Sequence, residues 1–191
     1  VAALAGPLPV RAALNVVTTT EGLAALAREV GGERVSVESL SRGIQDPHFV
    51  DPNPTLAVRL RRADLLVDVG LDLEVGWLPP LVNQSRNAEI HPGGSRRPTA
   101  AGAVSVLETP TGPVDRSQGD LHPAGNPHFL TDPRRALRVA QAIAARLAEL
   151  DPAGAAAYPG RLAAFSGRLA GAEARWAAEL APLKGRTALP H

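Results

Sequence analysis

The chain has 191 residues, 45% of them hydrophobic and 20% charged, enough to bury a core in one or two compact domains. Twenty basic and 19 acidic residues leave a formal net charge of +1, and aromatic residues make up only 3%; this excludes a phosphate-binding footprint and the stacking surfaces of single-strand nucleic-acid binders. Zero Cys excludes disulfides, thiolate metal sites, nucleophilic thiols and the usual lipid-anchoring residue, so a transition metal would have to be held by imidazole and carboxylate.

Residues 1–13 read as the remnant of an export signal or as an extension: small and apolar residues open the chain, and 10–13 offers the small side chains a signal peptidase favours. No apolar run approaches the roughly 20 residues needed to span a bilayer, so direct membrane insertion is not expected. From Leu14 the pattern alternates. A strand at 14–18 precedes a helix at 21–30 with Leu23, Leu26, Ala27 and Val30 on one face and Gly31-Gly32 as its stop. A second strand is expected at 34–40, a short helix opened by Pro54 at 55–62, and the clearest strand at 64–70. A further helix is expected at 71–82, its end distorted by Pro79-Pro80, and a further strand at 104–107. Strands alternating with helices point to an α/β fold, a Rossmann-like lobe with a parallel sheet over 14–132. Such sheets bind ligands where the chain leaves the strand C-termini. Over 133–181 the character turns helical: one helix at 133–150, with Asp132 as N-cap, and one of about 40 Å at 152–180 that could bridge two lobes. Pro159-Gly160 is expected to kink or split the second, and a new strand begins within 182–191.

Five His residues stand at 48, 91, 122, 128 and 191, with no close ligand spacing of the His-Glu-x-x-His kind. Three follow proline, as Asp46-Pro47-His48, Asn126-Pro127-His128 and Leu189-Pro190-His191. Proline fixes its own φ and keeps the preceding residue extended, so the imidazole is presented from a stiff loop, which suits a metal ligand. Lone loop histidines are more often surface or hydrogen-bonding residues, and the residues by themselves leave both readings open.

The stretch from Gly43 to Pro52, GIQDPHFVDP, resembles the first ligand loop of the zinc and manganese substrate-binding proteins of bacterial ABC importers. Gly119 to Pro133, GDLHPAGNPHFLTDP, is similar to their second, and the likeness extends from Leu14 onward. The resemblance implies two Rossmann-like lobes joined by a long helix, with the metal in the cleft between them; most of the second lobe would lie beyond this chain. It implies His48, His128 and His191 as metal ligands, with a fourth carboxylate beyond His191. The zinc members have His at the third position where manganese members have Glu, and neutral imidazole suits Zn²⁺. His122 falls where the family does not usually bind metal and is expected to be structural; His91 is weaker still. Asp46, Asp51 and Asp120 could orient the imidazoles or merely cap turns, capping being the default. The His-rich loop of some zinc members has no counterpart, since 109–118 contains no His.

The resemblance therefore implies periplasmic capture of Zn²⁺ as cargo, without a cofactor or catalysis, for an ABC permease and possibly with a periplasmic zinc chaperone. A manganese-binding homologue and a metal-binding adhesin are the alternatives. Metal binding must displace protons, so affinity is expected to fall below about pH 6.5. A zinc hydrolase would need a general base beside the metal, and Glu21, Glu74 and Glu108 stand in no motif that provides one.

Overall fold

The computed structural model describes residues 13–112 and 122–187. Three strands, β1 (Leu14–Thr18), β2 (Val35–Ser39) and β3 (Leu65–Val67), form a parallel sheet in the order β2-β1-β3. Val16 lies opposite both Val37 and Leu65, which makes β1 the central strand. Parallel neighbours need crossover connections, supplied here by α1 (Glu21–Gly31) after β1 and α2 (Pro54–Arg61) after β2. Then follow α3 (Leu78–Ser85), α4 (Pro133–Leu150) and α5 (Ala157–Leu180).

Alternation along the strands builds two cores. Val16, Leu65 and Val67 join Leu23 and Val30 of α1 and Val139, Ile143 and Leu147 of α4 on one face. Val17 and Leu66 point the other way, into a cluster with Leu56 and Leu60 of α2 and Leu78 and Leu81 of α3. Each such buried side chain contributes roughly 1.5–3 kcal/mol. The result is the expected α/β fold with helices on both faces of a parallel sheet. β2, at the edge, is only half-buried.

Helix starts follow local chemistry. The Thr20 side chain accepts from Leu23 N at the head of α1, Asn53 from Thr55 N and Leu56 N ahead of Pro54, and Asp132 from Arg134 N ahead of Pro133. Gly32, at φ 55°, ends α1 in a conformation that side chains rarely adopt.

Three elements differ from expectation. Residues 71–77 form turns rather than a helix, because Leu71 and Asp72 are left-handed at φ 55° and 65°; Pro79 and Pro80 then sit in the first turn of α3 and help to start it. Residues 104–107 form no strand. The edge of β3 they would have needed is taken by the preceding residues, where Ala100 N donates to Asp68 O (2.8 Å) and Ala101 N to Val69 O (3.0 Å). Arg97 and Thr99 both bind the Asp68 carboxylate and lock that arrangement. A short 3-10 turn at Ala100–Ala103 then carries 104–107 away as loop, leaving Leu107 exposed.

Pro159-Gly160 neither kinks nor splits α5. Pro159 lies in the first turn, where an N–H has no intrahelical partner to lose, so the helix simply begins there. At 24 residues α5 is about 36 Å long. Its start is fixed at the amino edge of the sheet: Asp151 Oδ2 accepts from Arg34 Nε (2.6 Å) and Tyr158 Oη (2.9 Å), and Asp151 Oδ1 from Gly154 N (3.2 Å). Further along, Leu162 and Phe165 pack partly on the core, while Trp176 and Leu180 are exposed. None of the helices in the described residues is long and apolar enough to cross a membrane. Residues 1–12 of the expected signal remnant at 1–13 and the last residues, 188–191, lie outside the described residues.

Candidate metal centre

The carboxyl ends of β1, β2 and β3 open onto three loops. Past β1, Thr19 Oγ1 donates to Glu74 Oε1 (2.6 Å). Past β3, Val69 N (2.7 Å) and Gly70 N (3.1 Å) donate to the same carboxylate. Glu74 is thus a buried clasp holding the left-handed turn at Leu71-Asp72, and burial pushes its carboxyl above the ordinary value despite the three donors. Left-handed non-glycine residues cost on the order of 1–3 kcal/mol each, which makes this turn a strained feature at the sheet's ligand-binding edge.

The loop after β2 brings His48 to that edge. Trp77, buried within the turn segment, donates from Nε1 to Pro47 O (2.9 Å) and pins the loop immediately before the imidazole. Asp46 Oδ1 accepts from both His48 N (2.9 Å) and His48 Nδ1 (2.6 Å). One carboxylate therefore caps the turn and orients the ring, the two roles the sequence left as alternatives. The hydrogen bonds from His48 hold the Asp46 carboxyl below its ordinary value. With Nδ1–H committed to Asp46, the lone pair of His48 faces outward on Nε2.

The second loop repeats this construction. Asn126 Oδ1 accepts from His128 N (2.8 Å), as Asp46 does for His48 N, while Asn126 Nδ2 donates to Glu108 Oε2 (2.6 Å). Upstream, Gly125 N donates to His122 O (3.0 Å), closing a four-residue turn. Gly125 has φ +106°, and a Cβ there would come within 2.2 Å of Val106 Cγ1 and 2.9 Å of Leu107 O. The chain can turn that tightly against the 104–107 loop only as glycine.

These loops bring three imidazoles together. His48 Nε2 and His122 Nε2 are 3.1 Å apart, and ring centroids are separated by 5.1 Å (His48–His122), 5.5 Å (His48–His128) and 6.1 Å (His122–His128). One ring nitrogen from each lies within 4.8 Å of the others. A tetrahedral zinc ion with Zn–N bonds of about 2.0–2.1 Å separates its ligand nitrogens by about 3.3 Å, close to the His48–His122 spacing. His128 is exposed and the other two are half-buried, so the cluster is open to solvent on one side. Burial, and then the neighbouring His48 and His128, push the His122 imidazole below its ordinary value, against the pull of the Leu71 carbonyl and Asp72. It stays neutral, and able to ligate, to a lower pH than a free imidazole.

His48 and His128 thus meet as their loops were read to do. His191 and Asp120 lie outside the described residues. His91 caps a 3-10 turn at Ala88–Ile90, and Asp51 is exposed. His122, expected to be structural, lies in the same cluster. A signal for it was present in His122-Pro123-Ala124-Gly125, with proline second and glycine fourth, the preferences of a β-turn that reverses the chain between His122 and His128. Of the carboxylates weighed as a general base, Glu74 is enclosed, Glu108 binds Asn126 and Glu21 pairs with Arg28 (3.4 Å).

Residues 16–189 match the family model for the periplasmic component A of zinc-uptake complexes, ZnuA. Among curated proteins, the metal ABC transporter substrate-binding lipoprotein ScbA of Streptococcus cristatus is 28% identical over 152 residues, covering 78% of this chain and 46% of the relative. The manganese ABC transporter substrate-binding lipoprotein scaA of Streptococcus gordonii matches to the same extent, 28% over 152 residues. The chain spans about half the length of these curated relatives. A zinc-bound crystal structure of a ZnuA deletion mutant superposes with a TM-score of 0.68 at 29% identity, over 82% of this chain and 54% of that one.

Proposed function

This chain belongs to the ZnuA family of metal-binding components of ABC importers, and on that footing we propose that its protein captures Zn²⁺ outside the cytoplasmic membrane and hands it to an importer permease. The observation that carries the proposal is the convergence of imidazoles from two separate loops, His48 and His128, at the carboxyl edge of the sheet. Both are presented by the same device, an Asx side chain two residues upstream that accepts the histidine's own N–H. Such presentation reduces the reorganisation needed when an ion arrives.

In this reading residues 14–132 form one lobe, 133–181 the helical segment with α5 as bridge, and 182–191 the start of a second lobe. His191 closes on the ion as a third ligand and a carboxylate or water fills the remaining position. Zinc is favoured over manganese because the assembled donors are imidazoles, while the Asp46 carboxylate beside them is spent on His48 Nδ1. A manganese-binding role is the second reading, prompted by the manganese relative. Export is supported by the periplasmic family description and by relatives named as lipoproteins. The ion is cargo, and the role is binding rather than catalysis.

Isothermal titration of Zn²⁺ and Mn²⁺ into the full-length protein, wild type against His48→Ala and His128→Ala, tests this. The expected result is one tight Zn²⁺ site, weakened more than about 100-fold in either variant, beyond what loss of an orienting partner alone would cause. Unchanged zinc affinity in both variants would refute it.

A further inference from the structure

We infer that His122 is a third zinc ligand, completing with His48 and His128 an all-imidazole capture site within this half of the protein that favours Zn²⁺ over Mn²⁺. The inference rests on the proposed metal capture and deepens it by assigning a ligand outside the His48, His128 and His191 set.

Two ring nitrogens face one another in the cluster. His48 commits Nδ1 to Asp46, so its Nε2 carries a lone pair. His122 Nε2 lies 3.1 Å from His48 Nε2, close to the separation of two ligand nitrogens on one tetrahedral zinc ion, and a ring nitrogen of His128 lies within 4.8 Å of both. A carboxylate on the far nitrogen is also how metal-bound histidines are held, and Asp46 holds His48 in that way.

A histidine that merely filled space would need no second imidazole facing its Nε2 at 3.1 Å. His122 and His128 come from one loop, folded back at Gly125, so their separation is set by a single short turn. With His122 in the position otherwise left to a carboxylate or water, three imidazoles and a fourth place for His191 match zinc's usual coordination, whereas Mn²⁺ prefers oxygen donors.

The test uses full-length protein carrying His122→Ala, His122→Gln or His48→Ala, titrated with Zn²⁺ and separately with Mn²⁺, together with visible absorption of the Co²⁺ form. Both His122 variants are expected to bind Zn²⁺ more than about tenfold more weakly, with a smaller loss for Mn²⁺ and an altered Co²⁺ spectrum. Wild-type affinity and spectrum in the His122 variants, with His48→Ala still defective, would overturn the inference and leave the transport proposal standing. Wild-type affinity in all three would overturn both. Should the His122 variants not fold, imidazole ¹⁵N spectra of the unaltered protein decide: a coordination shift of His122 Nε2 on adding Zn²⁺ supports the assignment, and its absence while His48 shifts overturns it.

Discussion

Asp46 separates two jobs that one oxygen performs, and replacing it in two ways should resolve them. Its Oδ1 accepts His48 N at 2.9 Å, which holds the turn, and His48 Nδ1 at 2.6 Å, which orients the ring and makes the imidazole a better donor. Asp46→Asn keeps a carbonyl oxygen for the backbone N–H but removes the negative charge beside Nδ1. Asp46→Ala removes both. Loss of an orienting partner typically weakens metal binding about 10–100-fold, or about 1.4–2.7 kcal/mol. The charge loss alone should place Asp46→Asn near the low end, while the additional loss of the turn should place Asp46→Ala near the high end. Competition with a chromophoric zinc chelator at pH 7, on variants whose melting temperatures are also recorded, reads both steps. Equal, wild-type affinity in the two variants would refute the claim that this carboxylate prepares His48 for metal.

Other consequences follow from single contacts. Gly125→Ala should drive a Cβ into Val106 and Leu107 O at a left-handed position, costing about 1–3 kcal/mol by denaturant unfolding and weakening zinc binding by parting His122 from His128; a silent substitution contradicts this. Glu74 has a folded-state pKa above its ordinary 4.5, so its contribution to stability is fully present below that value and is lost as pH rises through the raised one. Glu74→Gln should abolish that slope in urea unfolding measured from pH 4 upward, and a stability difference independent of pH would contradict it. Tyr158→Phe removes a side-chain donor to Asp151 Oδ2 and should lower stability by about 1–2 kcal/mol in thermal melts, with zinc affinity unchanged because that network lies at the amino edge of the sheet.

The legible parts of the fold were those in which local and tertiary forces agree. Thr20 and Gly31-Gly32 bracket α1, Asp132-Pro133 opens α4, and the apolar run around Leu65–Val67 is buried on both faces, so caps, periodicity and burial all give the same answer. Residues 104–107 have strand propensity, but a strand needs a free edge, and Thr99 to Ala101 already occupy that of β3. The turn at Leu71-Asp72 follows from a clasp by Glu74, which connects it to Thr19 across the sheet; nothing within 71–77 announces that contact. The effect of Pro159 depends on where the helix starts, which the buried Asp151–Tyr158 contact decides.

The site divides in the same way. His48 and His128 stand in two long loops with matching Asx-Pro-His turns, a pattern visible in one dimension. His122 has its proline on the other side, and its partner His48 Nε2 comes from a segment 74 residues away in sequence. Its place in the cluster is a property of the folded chain.

The most direct measurement is a crystal structure of the full-length protein grown with Zn²⁺, with anomalous scattering collected on both sides of the zinc absorption edge. One zinc peak about 2.0–2.1 Å from Nε2 of His48 and from a ring nitrogen of His128 is the predicted result. A fully occupied zinc peak elsewhere, with these imidazoles left uncoordinated, would contradict it.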